Sequence, residues 1–313
     1  MENQTTVNEF ILLGLSTDPL LQTLMFMVFL VIYLITLVGN LVIMWVIKAD
    51  PKLHTPMYFF LFHLSFVDIC YSSTVVPKVL VNFSVATKTI SVNVCITQMF
   101  FILLAGCSEV FILSAMAYDR YTAICDPLHY IETMSKQVCS QLVGGAWTVG
   151  CLYSLLNTLS VLNLHFCGPN EINHFSCEIP PLLVLSCSET FFNQVVLLTS
   201  TMILGSNSFL FILVSYIYII STILRMHSKE GRRKAFSTCS SHLIVIGLYY
   251  LAAFCHYAKP ISSTSLLGLD KLVSIQYSIL TPMLNPIIYT LKNKEVKTAL
   301  GKMLREIIFF SRG

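Results

Sequence analysis

The 313 residues are 55% hydrophobic and only 11% charged, with a net charge of +3, whereas a soluble domain carries about 25% charged residues. Too little charge is present to cover a water-facing core, so a soluble globular protein is excluded. The charge total itself says little; where the charges fall along the chain carries the information.

The first 23 residues contain no Lys or Arg and include the sequon Asn3-Gln4-Thr5, a candidate glycosylation site that requires an outward-facing tail. Leu24 to Ile47 then runs 24 residues without a charge, and a membrane helix needs about 20 apolar residues. No basic flank precedes this run, so it reads as an uncleaved signal anchor. Six further spans follow at Met57–Val79, Cys95–Tyr118, Val138–Leu162, Val195–Leu224, Ala235–Ala258 and Leu272–Leu291. Asp50-Pro51, Asp126-Pro127 and Lys259-Pro260 mark breaks between them, where proline and charge end a helix. The sixth span opens on Ser237-Thr238-Cys239-Ser240-Ser241-His242, which reads as a buried face packed by small hydroxyl residues.

With the N-terminus outside, the inner side holds Lys48, Lys52, Arg120, Lys136, Arg225, Lys229, Arg232, Arg233, Lys234, Lys292, Lys294, Lys297, Lys302, Arg305 and Arg312, and the outer side only Lys78, Lys88, Lys259 and Lys271. This is a strong positive-inside bias. The cluster Lys229-Glu230-Gly231-Arg232-Arg233-Lys234 is expected as a third inner loop, its charges available to anionic lipid heads or to a protein partner. After the last span, Val296, Leu300, Met303, Leu304, Ile307 and Ile308 form a helical stripe flanked by basic residues, expected to lie on the inner leaflet against membrane lipids. The expected fold is an all-α, seven-transmembrane helix bundle: an outer tail over 1–23, the bundle over 24–291, and an inner tail with an amphipathic helix over 292–313. The longest loop runs from about Asn163 to Gln194. No repeat or nucleotide-binding glycine loop appears.

Of eleven cysteines, Cys95, Cys167, Cys177 and Cys187 fall on the outer side, where disulfides are the default. Four cysteines allow three pairings, and spacing does not choose among them. His174, Cys177 and Glu178 also offer an imidazole, a thiolate and a carboxylate to a metal, an alternative that a disulfide would remove.

Longer motifs then appear in order: Gly39-Asn40; Leu53-His54-Thr55-Pro56-Met57-Tyr58-Phe59-Phe60-Leu61; Met116-Ala117-Tyr118-Asp119-Arg120-Tyr121-Thr122-Ala123-Ile124-Cys125; Pro127-Leu128-His129-Tyr130; Ser215-Tyr216; Lys234-Ala235-Phe236-Ser237-Thr238-Cys239-Ser240-Ser241-His242-Leu243; and Pro282-Met283-Leu284-Asn285-Pro286-Ile287-Ile288-Tyr289. Over almost its whole length the chain resembles a vertebrate olfactory receptor, a branch of the rhodopsin-like G-protein-coupled receptors. Two departures stand out. Thr122 occupies a position where the family usually has Val, and Tyr249-Tyr250-Leu251 replaces its usual Phe-Tyr-Gly, which removes a flexible point facing the pocket.

The resemblance implies disulfides Cys95–Cys177 and Cys167–Cys187. It implies a ligand cavity lined by Leu103, Gly106, Cys107, Ser200, Thr201, Leu204, Tyr250, Ala253, Phe254, Tyr257 and Ser278, each of which would otherwise be ordinary packing. The outer half of the third helix, from Cys95 through Gly106, and the outer parts of the fifth and sixth hold no acid, so a small neutral volatile ligand is expected; His256 and Lys259 near the cavity mouth leave carboxylates as the other class. On spacing alone Arg120 beside Asp119 reads equally as a topological anchor or as a functional pair, an arginine at that depth needing a carboxylate; the resemblance makes it a switch, with Tyr216 and Tyr289 rearranging around it. Asp68 and Glu109 are acids well inside the spans and functional candidates for that reason. With Asn40 and Asn285 they hold either a sodium ion, as the resemblance favours, or a shared proton. No other cofactor is implied. The implied partners are an odorant, a stimulatory heterotrimeric G protein that raises cyclic AMP, and a trafficking chaperone, with no nucleic acid. A similar receptor for another ligand outside the olfactory epithelium is the nearest alternative. A transporter or channel fits less well, since neither paired repeats nor matched broken helices appear. No enzyme motif is present.

Overall fold

Hydrophobic length decides where each helix forms. The computed structural model describes residues 7–167, 170–257 and 267–310. Six of the described helices are long and apolar enough to cross a membrane: α1 (Pro19–Ala49), α2 (Pro56–Ser84), α3 (Val92–Cys125), α5 (Lys136–Leu162), α7 (Phe191–Arg225) and α8 (Lys229–Tyr257), with the short α4 (Tyr130–Thr133) and α6 (Ile179–Val184) in the connections. The seventh span is composite, made of α9 (Leu267–Ile275), a π-helical turn (Gln276–Leu280) and α10 (Thr281–Lys292), and α11 (Lys294–Phe310) follows it. Asp18, Ser91 and Ser135 cap α1, α3 and α5 by accepting from backbone N–H groups of the first turn, which satisfies donors left free at a helix start. Pro19 and Pro56 sit at the first helical position of α1 and α2, where a missing N–H costs nothing.

The bundle is polar inside and apolar outside. On α1, Leu24, Met27, Val31, Leu34, Val38, Leu41 and Trp45 recur at helical spacing and are exposed, while Thr36, Asn40 and Ile43 face inward. Asn40, Asp68, Ser108, Glu109, Asn157 and His242 are all 0% exposed. Lipid takes the place of a core for the outer faces, and polar groups turn toward one another. The protein is therefore a multi-pass membrane protein. Helix α3 runs through the centre, packed on α2, α5, α7 and α8.

Two helix approaches need glycine. A Cβ on Gly150 of α5 would stand 2.5 Å from Ser108 Oγ and 3.1 Å from the Leu104 carbonyl oxygen of α3; small residues permit such close contact between membrane helices. Gly150→Val is expected to cost about 1–3 kcal/mol through overpacking and to lower surface level several-fold, measured by cell-surface labelling. A Cβ on Gly39 would likewise meet Pro286 Cγ at 3.1 Å. Pro286 has no N–H, so the Pro282 carbonyl one turn back loses its helical donor. Asn40 Nδ2 replaces it, donating at 3.0 Å. The adjacent residues Gly39 and Asn40 thus share one task, seating α1 on the proline break of α10.

Three short strands, β1 (Glu9–Leu12), β2 (Thr89–Ser91) and β3 (Glu171–Ile172), form a sheet in the order β2-β1-β3 across one end of the bundle, antiparallel on one side of β1 and parallel on the other. Phe10 and Leu12 are fully buried against Cys95, Met99, Val161 and Ile179, so the tail from Val7 onward is part of the folded end. At Gly14 the chain turns with φ +70°, a conformation glycine adopts without strain. Gly14 N donates to the His174 carbonyl at 3.1 Å, and Lys271 Nζ donates to the Gly14 carbonyl at 2.8 Å. At the opposite end the basic cluster from Lys229 is not a loop: it forms the first turns of α8. Lys, Arg and Glu are good helix formers, and a helix can extend past the hydrocarbon.

Candidate functional site

At the sheet end, disulfides join Cys95 to Cys177 and Cys167 to Cys187, with Cα atoms 5.4 and 5.9 Å apart. The first pins the loop after α5 onto α3. Gln98 reinforces it, its Oε1 accepting from Cys177 N at 2.9 Å and its Nε2 donating to the Thr74 carbonyl at 2.9 Å. With Cys177 in a disulfide, the set His174, Cys177 and Glu178 has no thiolate for a metal. Among the described residues no group of three or more His, Cys, Asp or Glu could hold one. Asn82, whose second sequon ends at Ser84, lies inside α2 and is 4% exposed. Asn82→Gln is therefore expected to leave electrophoretic mobility unchanged with and without glycosidase, since a glycan there has no room. Asn3 lies outside the described residues.

The cavity residues named from the sequence have unequal surroundings. Leu103, Gly106, Cys107, Ser200, Thr201, Leu204 and Tyr250 are half-buried, and Ser278 is buried. Tyr249 OH donates to the Gly106 carbonyl at 3.2 Å. Thr201 pairs with Tyr153 at 2.8 Å, Ser200 accepts from Asn157 Nδ2 at 3.3 Å, and Ser208 pairs with Tyr250 at 2.8 Å. Ser278 Oγ donates back to the carbonyl of Ser274. Most of these hydroxyls are thus engaged between helices. The side chains of Ala253, Phe254, His256 and Tyr257, and all of Lys259, fall outside the described residues.

Deeper in the bundle, Asn285 Nδ2 donates to both carboxylate oxygens of Asp68, at 3.1 and 3.0 Å. Glu109 lies close enough to act on Asp68 through space. Among the described residues, both Glu109 oxygens, Ser108 Oγ, Asn40 Oδ1 and Asn285 Oδ1 are buried with no partner at hydrogen-bond geometry. Buried orphan oxygens are uncommon. Carboxylate, amide and hydroxyl oxygens are the donor set that a small hard cation prefers, so these residues fit a sodium ion.

Toward the opposite end, Asp119 is fully buried on α3 and pairs with Arg120, whose Nε donates to Asp119 Oδ2 at 2.8 Å. Tyr130 of α4 donates to Asp119 Oδ1 at 2.8 Å. Tyr216 of α7 lies 2.6 Å from His242 Nδ1 of α8. Tyr289 is buried and its hydroxyl has no partner among the described residues. Among the described residues no hydrogen bond joins Arg120, Tyr216 and Tyr289 to one another. Tyr58 OH stands between Glu295 Oε2 at 2.8 Å and Asn293 Oδ1 at 3.0 Å, tying α2 to the start of α11. Tyr130, His242 and Tyr58 all lie in motifs visible in the sequence, but nothing in their spacing names their partners.

The chain is thus a membrane helix bundle with a polar interior, a disulfide-pinned loop over one end and an arginine-carboxylate pair near the other. Residues 29–307 match the family model described as olfactory receptor. Olfactory receptor 5A1 of Homo sapiens is 52% identical over 309 residues, covering 99% of this chain and 98% of its own length. Olfactory receptor 5M5 of Mus musculus is 50% identical, covering 97% and 95%, and Olfactory receptor 1f45 of Rattus norvegicus is 48% identical, covering 96% of each. The chain belongs to the olfactory receptor family.

Proposed function

We propose that this protein is an odorant receptor of the plasma membrane, with its tail 1–23 outside, the bundle 24–291 in the bilayer and the tail 292–313 in the cytoplasm. A small, neutral, largely apolar volatile binds among the half-buried residues of α3, α7, α8 and the composite seventh span. Binding releases Arg120 from Asp119, and the freed end engages a stimulatory heterotrimeric G protein, raising cyclic AMP. Olfactory-family membership over nearly the whole chain carries this reading, and the pairing of half-buried Arg120 with buried Asp119 supports the switch. The distribution of Lys and Arg supports the orientation. A cyclic AMP reporter, read in cells against a broad panel of volatile alcohols, ketones, esters, acids and amines, tests it. Micromolar agonists are expected, because ligands of few atoms bury little surface to set against the freedom lost on binding. Silence toward the whole panel at normal surface level would overturn the reading.

Asp68, Glu109, Asn40 and Asn285 would hold sodium, which neutralises two facing carboxylates and so favours the resting packing. Asp68→Asn or Glu109→Gln is expected to flatten the sodium dependence of agonist potency. An unchanged dependence would assign the pair a shared proton instead.

A further inference from the structure

The outer parts of α3, α7 and α8 carry no acid, but the pinned loop does. Glu178 follows Cys177 directly, and its side chain is 11% exposed. Among the described residues its nearest cationic candidate is His174, whose Nδ1 stands 3.9 Å from Glu178 Oε1, beyond hydrogen-bond reach. His174 Nδ1 instead accepts from Ser176 N at 3.2 Å. Hydroxyls hold the carboxylate: Tyr277 donates to Oε2 at 2.7 Å, Ser274 to Oε2 at 3.3 Å, and Ser176 to Oε1 at 3.1 Å. Tyr277 belongs to the π-helical turn, a feature found often at functional sites. Its ring lies 6.2 Å from that of Tyr71, and the Tyr71 hydroxyl lies 3.9 Å from where a Cβ of Gly106 would stand. The carboxylate is therefore linked through Tyr277 and Tyr71 to Gly106 of α3, one of the residues that the resemblance sets around the cavity.

An ionised carboxylate accepts about four hydrogen bonds. Three are present here, all from neutral hydroxyls, and Oε1 keeps one open position. We propose that Glu178 is a specificity-determining residue of the ligand cavity, holding the hydroxyl group of an alcohol or phenol agonist, with Tyr277 and Ser274 positioning its carboxylate. A single open acceptor position matches a single O–H. An ammonium group, with three donors and a full charge to desolvate, would leave two of them unpaired. The proposal rests on the receptor reading above and narrows its ligand class.

The test uses matched sets on one carbon skeleton (the alcohol, its methyl ether, the ketone and the primary amine) and a homologous series of alcohols. Cyclic AMP is read at matched surface level. In the wild type the alcohol should be at least about tenfold more potent than its ether, as expected for a hydrogen bond to a charged group. Glu178→Gln should bring that ratio close to one while ether potency stays within a few-fold. Glu178→Asp keeps the charge but withdraws it by one methylene, so the preferred alcohol should lengthen by one carbon, a change that a merely structural role would not produce. If Glu178→Gln fails to reach the surface, the Glu178→Asp series decides alone. An unchanged alcohol-to-ether ratio in Glu178→Gln, an unshifted length optimum in Glu178→Asp, or a wild type that prefers ethers, ketones or amines would overturn the assignment and leave the receptor reading intact. A wild type silent to every compound would end both.

Discussion

Replacing Cys95 or Cys177 with serine is expected to remove most of the protein from the cell surface, whereas Cys167→Ser or Cys187→Ser should cost far less. Cys95 and Cys177 are both fully buried, packed with Phe10, Leu12, Met99, Ile179 and Leu182. Their bond spans 82 residues and ties α3 to the loop over the cavity. Loss of a native disulfide costs about 2–5 kcal/mol in small secreted domains, a large part of a typical protein's stability. The serine hydroxyls would in addition be left in apolar surroundings. Cys167–Cys187 closes a loop of only 20 residues, and Cys187 lies in an exposed stretch. Surface immunolabelling of the four single variants, with thiol labelling of the intact protein, measures the contrast. Equal surface levels for all four, or free thiols at Cys95 and Cys177 in the wild type, would refute it.

The second large effect concerns Arg120. Arg120→Ala should reduce ligand-driven cyclic AMP to background while surface level stays within a few-fold of wild type. Tyr130→Phe should act in the opposite sense. Asp119 is held on one oxygen by Arg120 and on the other by Tyr130, so removing the tyrosine hydroxyl loosens the resting pair without touching the arginine. One hydrogen bond is worth about 1 kcal/mol, and basal cyclic AMP should rise by about fivefold. Burial and the neighbouring Asp119 already push the Tyr130 hydroxyl well above its ordinary pKa, so it remains a donor across the physiological range. Full signalling by Arg120→Ala at matched surface level would refute the switch.

The spans were legible because bilayer thickness imposes a length that no soluble fold requires, and Leu24–Ile47 meets it without a charge. The ends were less so. Nothing in Glu9–Leu12 marks a strand: four residues are too few for a period, and their partners lie far away in the sequence. The helical start at Lys229 was hidden by its charges, which read as a loop. Asp68 and Asn285 stood out as polar residues in apolar runs, and the structure adds the hydrogen bonds between them. Glu178 is legible in the sequence only as a metal-ligand candidate beside His174 and Cys177; its place against Tyr277 and Ser274 depends on how its loop folds back over the bundle. The proline-donor logic joining Asn40 to Pro282 becomes readable only when α1 and α10 are seen side by side.

The small sheet also sets an order of assembly. β1 is made first, and its parallel partner β3, paired at Ile11–Glu171 and Leu12–Ile172, follows about 160 residues later. At roughly 5–20 residues per second, the tail waits on the order of ten to thirty seconds, while four spans are inserted, before its second edge can close. During that interval Phe10 and Leu12 have no place to be buried, and Cys95 has no Cys177 to join. The sheet therefore closes only on a chain whose first half is already seated in the membrane, and an open β1 identifies one that is not.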